Sequence, residues 1–167
     1  RTFTGCSIPA MAQTLQGLGA NAIGINCSIG PDDLPPIVEE LAKWTDLPIV
    51  IKPNAGLPDP SSDDYDVSAQ DFSKSIEKIV SSGIKIVGGC CGTTPEYIML
   101  LKQMLENKKY QKPQYEIQSA VCSSSNTVVI DCPKIIGERI NPTGKKIFKQ
   151  ALIENDMNYI LSQALEQ

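Results

Sequence analysis

The sequence predicts an α/β protein in which the strands of a parallel sheet alternate with helices. Three apolar runs, at 21–26, 48–51 and 84–87, have the length and composition of buried strands. Each run is followed, after a loop, by a stretch in which apolar residues recur at helical spacing. Repeated strand–helix units of this kind indicate a parallel sheet, although the pattern alone does not separate a barrel from an open sheet.

Residues typical of helix N-termini support the boundaries of these helices. Ser7 begins the first helical pattern, at 7–18, and Ser68 with Asp71 forms a capping-box pair ahead of another. Pro95 suits the first turn of the helix that follows the third apolar run, because an amide proton has no helical partner there. We therefore expect helices to begin at these positions.

The last third of the chain has a different character. Lysine, serine and glutamine are frequent between residues 107 and 133, which is typical of a linker, and 128–130 is a candidate short strand within it. Ile135 and Ile136 begin a fourth strand-like run, and helical stretches follow at 145–153 and 156–166. The sequence thus predicts a strand and two helices after the linker.

Charge and composition exclude several classes of function. The net charge of −4 argues against a protein that binds nucleic acid or a membrane surface. No apolar run reaches the length of about 18 residues that a membrane-spanning helix needs. Histidine is absent, which removes the commonest general base and any metal site with histidine ligands. The six cysteines are not distributed as in a small disulfide scaffold, so we expect a reducing, cytoplasmic setting.

Two adjacent cysteines lie at the turn between the third predicted strand and its helix. Cys90 and Cys91 stand in the string Gly-Gly-Cys-Cys-Gly-Thr-Thr-Pro-Glu, residues 88–96. Neighbouring side chains of a strand point to opposite faces, so the backbone must leave strand geometry for both sulfurs to reach one centre. The three glycines of the string permit the positive φ angles that such a turn can need. The N-terminus of the following helix favours thiolate, which is the form that binds metals.

A third cysteine occupies the equivalent position after the first predicted strand. Cys27 lies in Gly-Ile-Asn-Cys-Ser-Ile-Gly-Pro, residues 24–31, and Asn54 follows the second strand in a similar way. The carboxyl ends of parallel strands meet at one edge of a sheet, so these turns are expected to lie together. The three cysteines are therefore candidate ligands of one metal ion, whereas an asparagine beside proline and glycine is by itself typical of a turn.

These motifs resemble those of a known family. The phrases around Cys27, Asn54 and Cys90–Cys91 are similar to those of the zinc-dependent homocysteine S-methyltransferases. The segment Gly-Glu-Arg-Ile-Asn at 137–141, with Pro-Thr-Gly-Lys-Lys after it, resembles the opening of the methyltetrahydrofolate-binding domain that follows the homocysteine domain in the cobalamin-dependent methionine synthases. The similarity covers nearly the whole chain except the linker, and the order of the two motifs distinguishes this group from its relatives.

The resemblance implies a particular fold and domain organisation. It predicts that residues 1–108 are the C-terminal part of a homocysteine-binding (β/α)8 TIM barrel, of which they supply the last three strands. Residues 109–133 are the expected linker, and residues 134–167 are the expected N-terminal stub of a pterin-binding domain, also a (β/α)8 barrel. Such barrels form their active sites at the carboxyl ends of the strands. On this interpretation the chain is a fragment that is inactive alone.

The resemblance also implies a reaction. Zn²⁺ held by Cys27, Cys90 and Cys91 keeps an open fourth position, as in catalytic zinc sites. The homocysteine thiol loses its proton there and receives a methyl group from methylcobalamin to give methionine, and 5-methyltetrahydrofolate recharges the cobalamin. Asn54 is expected to contact the substrate, and no side chain beyond the metal site is expected to be catalytic. Cobalamin is expected to bind a domain of the same or a separate chain.

Five residues of the second motif are the expected folate contacts. Glu138 and Asn141 match the opening of the family's pterin site, and Gly144, Lys145 and Lys146 match the turn near the folate. The lysines are expected to meet folate carboxylates. Without the resemblance, the same lysines are typical of a solvent-exposed basic turn.

Three other functions fit parts of the pattern. A structural zinc module predicts a closed site with a fourth protein ligand, for which Cys122 and Cys132 are candidates. A homocysteine methyltransferase that uses betaine or S-methylmethionine without cobalamin would also account for the three cysteines. Enzymes of that kind lack a segment like 137–141, so this segment argues against that function. A redox pair at Cys90 and Cys91 is disfavoured, because the spacing is not Cys-x-x-Cys and vicinal cysteines form strained bridges.

Overall fold

Strands and helices alternate through the first two-thirds of the computed structural model, as the sequence predicts. The structure describes residues 1–2, 4–58, 60–62, 64–112, 116 and 118–167. The elements are, in order, α1 (Ile8–Gly17), β1 (Ile23–Asn26), α2 (Pro35–Ala42), β2 (Ile49–Lys52), α3 (Ala69–Ile79), β3 (Ile84–Val87) and α4 (Pro95–Leu105). Short 3-10 turns at Pro31–Asp33 and Val80–Ser82 precede α2 and β3.

The three strands β1, β2 and β3 form a parallel sheet with β2 in the centre. Asn26 pairs with Lys52 at the end of β1 and β2, and Ile51 pairs with Val87 on β3. The carboxyl ends of the three strands are therefore level with one another. The predicted parallel sheet is confirmed, and the loops that follow the strands lie at a common edge.

Helices cover one face of this sheet and bury its apolar side chains. Ile49 and Ile51 of the central strand are completely buried. The helices contribute the rest of this core, chiefly through Val38, Leu41, Phe72, Ile76, Ile79 and Leu101. Such burial contributes about 1.5–3 kcal/mol for each large apolar side chain, so it is the main term that holds strands and helices together.

The other face of the sheet is more open. Val50 is half-buried, Lys52 is exposed, and Ile86 keeps 50% of its surface accessible. Side chains of successive strand residues alternate between the two faces of a sheet. The greater exposure of these three residues therefore follows from the same register that buries Ile49 and Ile51. A sheet with one covered and one open apolar face is the arrangement that a further layer or a closed barrel completes.

The predicted helix caps are present. The Ser7 hydroxyl accepts a hydrogen bond from the Ala10 amide at 3.3 Å. The Ser68 hydroxyl accepts from the Asp71 amide at 3.2 Å and donates to the Asp71 carboxylate at 2.8 Å, so Asp71 supports the cap through the serine hydroxyl rather than through its backbone amide. Among the described residues, no helix combines the length and apolar character that crossing a bilayer requires.

A β-hairpin lies within the segment predicted to be a linker. Strands β4 (Ala120–Cys122) and β5 (Thr127–Val129) pair in antiparallel fashion. The Cys122 sulfur lies 3.4 Å from the hydroxyl of Thr14 on α1, so the hairpin packs on the first helix. Backbone packing groups the hairpin with the sheet in one unit, Arg1–Ile130, and forms a second unit from Asp131–Gln167.

The second unit consists of two helices and the loop before them. Helices α5 (Lys146–Glu154) and α6 (Met157–Leu165) match the two predicted helical stretches. The ring of Phe148, which is buried, lies 6.4 Å from that of Tyr159. The strand predicted at Ile135 and Ile136 does not form, and these side chains are 99% and 88% exposed. That prediction was wrong because no described strand of this unit offers Ile135 and Ile136 a backbone partner.

Candidate metal centre

Three cysteine sulfurs lie together at the carboxyl edge of the parallel sheet. Cys27 follows β1 directly, and Cys90 and Cys91 lie between β3 and α4. The Sγ atoms of Cys27 and Cys91 are 3.7 Å apart, those of Cys90 and Cys91 are 3.9 Å apart, and all three lie within 4.8 Å of one another. The structure thus brings together the three cysteines that the sequence singles out.

The first cysteine turn, residues 27–29, has an unusual backbone. Cys27 and Ser28 are both left-handed, with φ angles of 64° and 70°. This conformation costs about 1–2 kcal/mol for a residue with a Cβ, so the surrounding contacts must hold it in place. The Cys27 amide donates to the Lys52 carbonyl and the Ile29 amide donates to the Cys27 carbonyl, both at 2.9 Å.

The second cysteine turn, residues 88–92, uses its glycines in two ways. Gly92 alone of the three glycines has a positive φ, at 77°. A Cβ added to Gly92 would overlap the ring of Tyr65, which packs directly on this position. A Cβ on Gly89 would overlap the side chain of Thr93, whose hydroxyl donates to the Cys90 carbonyl at 2.7 Å. One glycine therefore supplies backbone freedom and another supplies space.

A connecting turn, residues 52–55, lies between the two cysteine turns. In addition to the Lys52 contact with the first cysteine turn, the Pro53 carbonyl accepts from the Cys90 amide at 2.8 Å. The Ala55 amide donates to the Cys91 carbonyl at 2.9 Å. The connecting turn contributes no sulfur, yet its backbone hydrogen-bonds to both turns that do.

Asn54 lies at the middle of the connecting turn and is only 6% exposed. Its Oδ1 accepts a hydrogen bond from the Cys91 amide at 3.2 Å. Its backbone amide donates to the Ile29 carbonyl at 3.0 Å. The residue therefore lies beside the cluster, and it contacts the second cysteine turn through its side chain and the first through its backbone amide.

Hydrogen bonds shift the pKa values of Cys27 and Cys90 in opposite directions. The Ser28 amide, and after it the thiols of Cys91 and Cys90, lower the pKa of Cys27, and Asn54 adds a smaller effect in the same direction. The pKa of Cys90 is raised, first because its thiol hydrogen-bonds the Cys27 sulfur and next by desolvation. Cys27 is therefore expected to ionise before Cys90. Binding of a metal ion to all three sulfurs releases the remaining protons.

The spacing of the sulfurs fits a zinc ion. In a tetrahedral site with Zn–S bonds of about 2.3 Å, neighbouring sulfurs are separated by about 3.8 Å. Two of the three observed separations, 3.7 and 3.9 Å, match that value closely, and the third, between Cys27 and Cys90, lies within 4.8 Å. Thiolates are also the ligands that soft metal sites favour, so both geometry and donor chemistry suit Zn²⁺.

One side of the cluster is accessible to solvent. Cys91 is exposed, and Cys27 and Cys90 are partly exposed. Within the part of the chain that the structure describes, no further cysteine or carboxylate belongs to the cluster. A cleft of about 380 Å³, lined by Met11, Asn26 and Cys27 among others, opens beside the first cysteine turn. The sulfurs can thus be reached by a small molecule.

Cys122, a candidate fourth ligand of a structural zinc site, lies elsewhere in the first unit. Its sulfur contacts the Thr14 hydroxyl and, at 3.8 Å, the Ala10 carbonyl on α1. Cys132, the other candidate, belongs to the second unit. Cys122 does not join the described cluster, so the closed site that a structural module predicts is not formed by the sulfurs of the first unit.

The predicted folate contacts lie in the loop before α5 and at its start. Lys145 donates from Nζ to the Glu138 carboxylate at 3.0 Å and to the Glu138 and Arg139 carbonyls at 3.2 and 3.3 Å. The Asn141 side chain accepts from the Thr143 amide at 3.0 Å. Gly144 has a φ of 74°, and Lys146 is exposed at the first position of α5. Lys145 therefore stabilises the loop before α5 by its hydrogen bonds to residues 138 and 139, whereas Lys146 is exposed to solvent.

Two features of the site have no clear signal in the sequence. The left-handed backbone of Cys27 and Ser28 occurs without a glycine at either position. The packing of Tyr65 on Gly92 joins residues from different loops. The positive φ of Gly92, in contrast, has a visible signal, because glycine is the residue that adopts it at least cost.

The fold and the cluster together define an α/β protein with a candidate thiolate metal centre. The family model described as homocysteine S-methyltransferase matches residues 1–105, which include all three clustered cysteines. The chain therefore belongs to the homocysteine S-methyltransferase family.

Relatives extend the similarity beyond the part that the family model covers. Methionine synthase of Mycobacterium tuberculosis (strain ATCC 25618 / H37Rv) is 30% identical over 169 residues, and that of Mycobacterium leprae (strain TN) is 28% identical over 178 residues. Each alignment covers 98% of this chain and 14% of the relative, so the chain spans about a seventh of the length of these proteins.

Two solved structures match a little over half of the chain. The homocysteine methyltransferase MmuM from Escherichia coli in its oxidised form is 30% identical, with a TM-score of 0.48 over 59% of this chain and 30% of that one. The metallated form is 28% identical, with a TM-score of 0.46 over 57% of this chain and 28% of that one.

Proposed function

We propose that the first unit belongs to a homocysteine-binding domain that transfers a methyl group to the homocysteine thiol and thereby forms methionine. The observation that carries this proposal is the cluster of Cys27, Cys90 and Cys91, which has zinc-like sulfur spacing and an accessible side. Membership of the homocysteine S-methyltransferase family supplies the substrate class. Closure of the parallel sheet into a (β/α)8 barrel belongs to the same proposal.

The three cysteines would hold Zn²⁺ as thiolates. Bound zinc supplies a Lewis acid that lowers the pKa of a substrate thiol, so that homocysteine is presented as a thiolate nucleophile. The protein's own contribution is positional, since the hydrogen bonds of the connecting turn fix both cysteine turns before any ligand arrives. The family resemblance implies that Asn54 contacts the substrate.

The extent of the similarity favours cobalamin as the immediate methyl carrier. The family model ends at residue 105, whereas the alignments with two methionine synthases cover 98% of the chain. The segment after residue 105 is therefore also similar to those enzymes. Within it, residues 137–141 resemble the opening of the methyltetrahydrofolate-binding domain of the cobalamin-dependent methionine synthases, which supports methylcobalamin as donor and 5-methyltetrahydrofolate as the source of its methyl group. A cobalamin-binding domain, in the same or a separate chain, and a cytoplasmic location complete this proposal.

The second unit would then begin a folate-binding domain. Glu138, Asn141, Gly144, Lys145 and Lys146 are the proposed contacts. The hydrogen bonds of Lys145 to its own loop suit a residue that shapes the site, and the exposed ammonium of Lys146 suits contact with a folate carboxylate.

The methyl donor can be tested directly on the full-length protein. Zinc-loaded protein is incubated with homocysteine and one methyl donor at a time, which is methylcobalamin, S-methylmethionine or betaine. The methionine formed in each reaction is then measured. We expect methionine from methylcobalamin only, and its formation should stop when a chelator removes zinc. Methionine formed from betaine or S-methylmethionine, or formed equally well without zinc, would contradict the proposal.

A further inference from the structure

The side chain of Tyr65 packs on the second cysteine turn. A Cβ added to Gly92 would overlap the Cβ, Cγ and Cδ2 atoms of Tyr65, so the base of the tyrosine side chain lies directly against the glycine. Gly92 follows Cys91, whose sulfur lies 3.7 Å from that of Cys27. The side chain that covers the glycine is therefore one residue removed from a candidate metal ligand.

The two residues Cys91 and Gly92 are held in different ways. The Cys91 carbonyl accepts from the Ala55 amide at 2.9 Å, and its amide donates to the connecting turn as well. Gly92 has a φ of 77° and no side chain of its own with which to fix the turn. Packing of the Tyr65 ring on Gly92 adds a support that comes from a different loop.

The loop that carries Tyr65 is itself held in place. The Val67 amide donates to the Ala55 carbonyl at 3.0 Å, and Pro58 pairs with Tyr65 in an antiparallel bridge. The hydroxyl of Tyr97, on α4, donates to the Val67 carbonyl at 2.7 Å. The position of the Tyr65 ring is thus fixed by contacts outside the cysteine turns, so the ring can act as a rigid support for Gly92.

We infer that Tyr65 is a positioning residue of the metal centre, whose ring holds the second cysteine turn in the geometry that zinc requires. This inference rests on the zinc centre proposed above, and it involves no contact between the tyrosine and the metal. Removal of a group that orients metal ligands typically weakens metal binding by about 10–100-fold. Since Tyr65 acts through packing on one of the two cysteine turns, we expect the lower end of this range.

The test measures zinc affinity in the full-length protein by competition with a chromophoric chelator. Tyr65→Ala removes the ring and should bind zinc about tenfold more weakly than the parent. The visible absorption of its Co²⁺-substituted form should also change, because that spectrum reports the geometry of the ligands. Tyr65→Phe keeps the atoms that pack on Gly92, so its zinc affinity should stay within about twofold of the parent. Tyr65→Leu gives the same comparison if Tyr65→Ala does not fold.

Tyr110→Ala is the matched control. The Tyr110 ring lies 5.5 Å from Nζ of Lys85, which stands near the start of β3 rather than at its sulfur-bearing end. The same chemical change is therefore made in the same unit without touching either cysteine turn. Zinc affinity and the Co²⁺ spectrum of this variant should match those of the parent.

Gly92→Ala in the Tyr65→Ala background tests the contact itself. In the parent, the added methyl group overlaps the tyrosine side chain and should weaken zinc binding. Tyr65→Ala removes the ring atoms that it overlaps, so the same methyl group should then reduce zinc affinity by a smaller factor. Equal losses of affinity in the two backgrounds would show that the residues act independently and would contradict the inference.

The outcomes distinguish this inference from the proposed function. If Tyr65→Ala lowers the stability of the fold but binds zinc within about twofold of the parent, the positioning role is overturned while the zinc centre stands. If it raises the KM for homocysteine with zinc affinity unchanged, the ring is a substrate contact instead. If Tyr65→Phe binds zinc as weakly as Tyr65→Ala, the hydroxyl rather than the packing is responsible, and the inference is wrong. If the parent protein itself binds no zinc, the proposed centre and the inference fall together.

Discussion

Replacing Cys90 with serine is expected to abolish zinc binding and methyl transfer, and the same result is expected for Cys27→Ser and Cys91→Ser. A serine hydroxyl stays protonated near neutral pH, so each variant leaves two thiolates where three are needed. Four-ligand zinc sites bind with about 10–16 kcal/mol in total, so loss of one thiolate should weaken binding by about a hundredfold or more. Zinc content after dialysis and the rate of methionine formation measure the effect in the full-length protein.

Cys122→Ser provides the control for these variants. Its sulfur contacts α1 rather than the cluster, so the same chemical change should leave zinc content unaltered. A single variant among Cys27→Ser, Cys90→Ser and Cys91→Ser that kept full zinc content and activity would rule out the three-ligand centre.

Replacing Gly92 with alanine is expected to destabilise the second cysteine turn strongly, although it adds only one methyl group. The new Cβ meets two penalties, a positive φ of 77° and overlap with the Tyr65 ring. The first costs about 1–2 kcal/mol and the second about 1–3 kcal/mol, so the free energy of unfolding should fall by about 2–5 kcal/mol. Urea unfolding of the 167-residue chain, followed by the fluorescence of its only tryptophan, Trp44, measures the change.

Gly19→Ala separates the two penalties. Gly19 has a φ of 83°, and an added Cβ there meets no atom within 4 Å. This variant should lose only the about 1–2 kcal/mol of the left-handed conformation and should keep its zinc affinity. Equal losses in Gly92→Ala and Gly19→Ala would show that the contact with Tyr65 contributes nothing.

Local signals in the sequence predicted most of the first unit. Ser7 and Ser68 cap their helices because a short side-chain oxygen reaches the free amides of the first turn, which depends only on neighbouring residues. The parallel sheet followed from the repeated order of strands and helices. The meeting of Cys27 with Cys90 and Cys91 followed in turn, since equivalent loops of parallel strands lie at one edge.

Features that depend on contacts between distant segments could not be predicted in this way. The buried position of Asn54 between two cysteine turns requires the register of all three strands to be known. The left-handed Ser28 is held by its surroundings against its own preference. Ile135 and Ile136 have strand-like composition, but a strand needs a partner, and the described residues of their unit supply none.

Zinc-edge X-ray absorption of the full-length protein, with and without homocysteine, tests most directly whether Cys27, Cys90 and Cys91 hold zinc and leave a position for the substrate sulfur. We predict three sulfur neighbours and one lighter atom in the absence of homocysteine, and four sulfur neighbours in its presence. Four sulfur neighbours under both conditions would identify a closed structural site and would contradict the proposed methyl transfer at this centre.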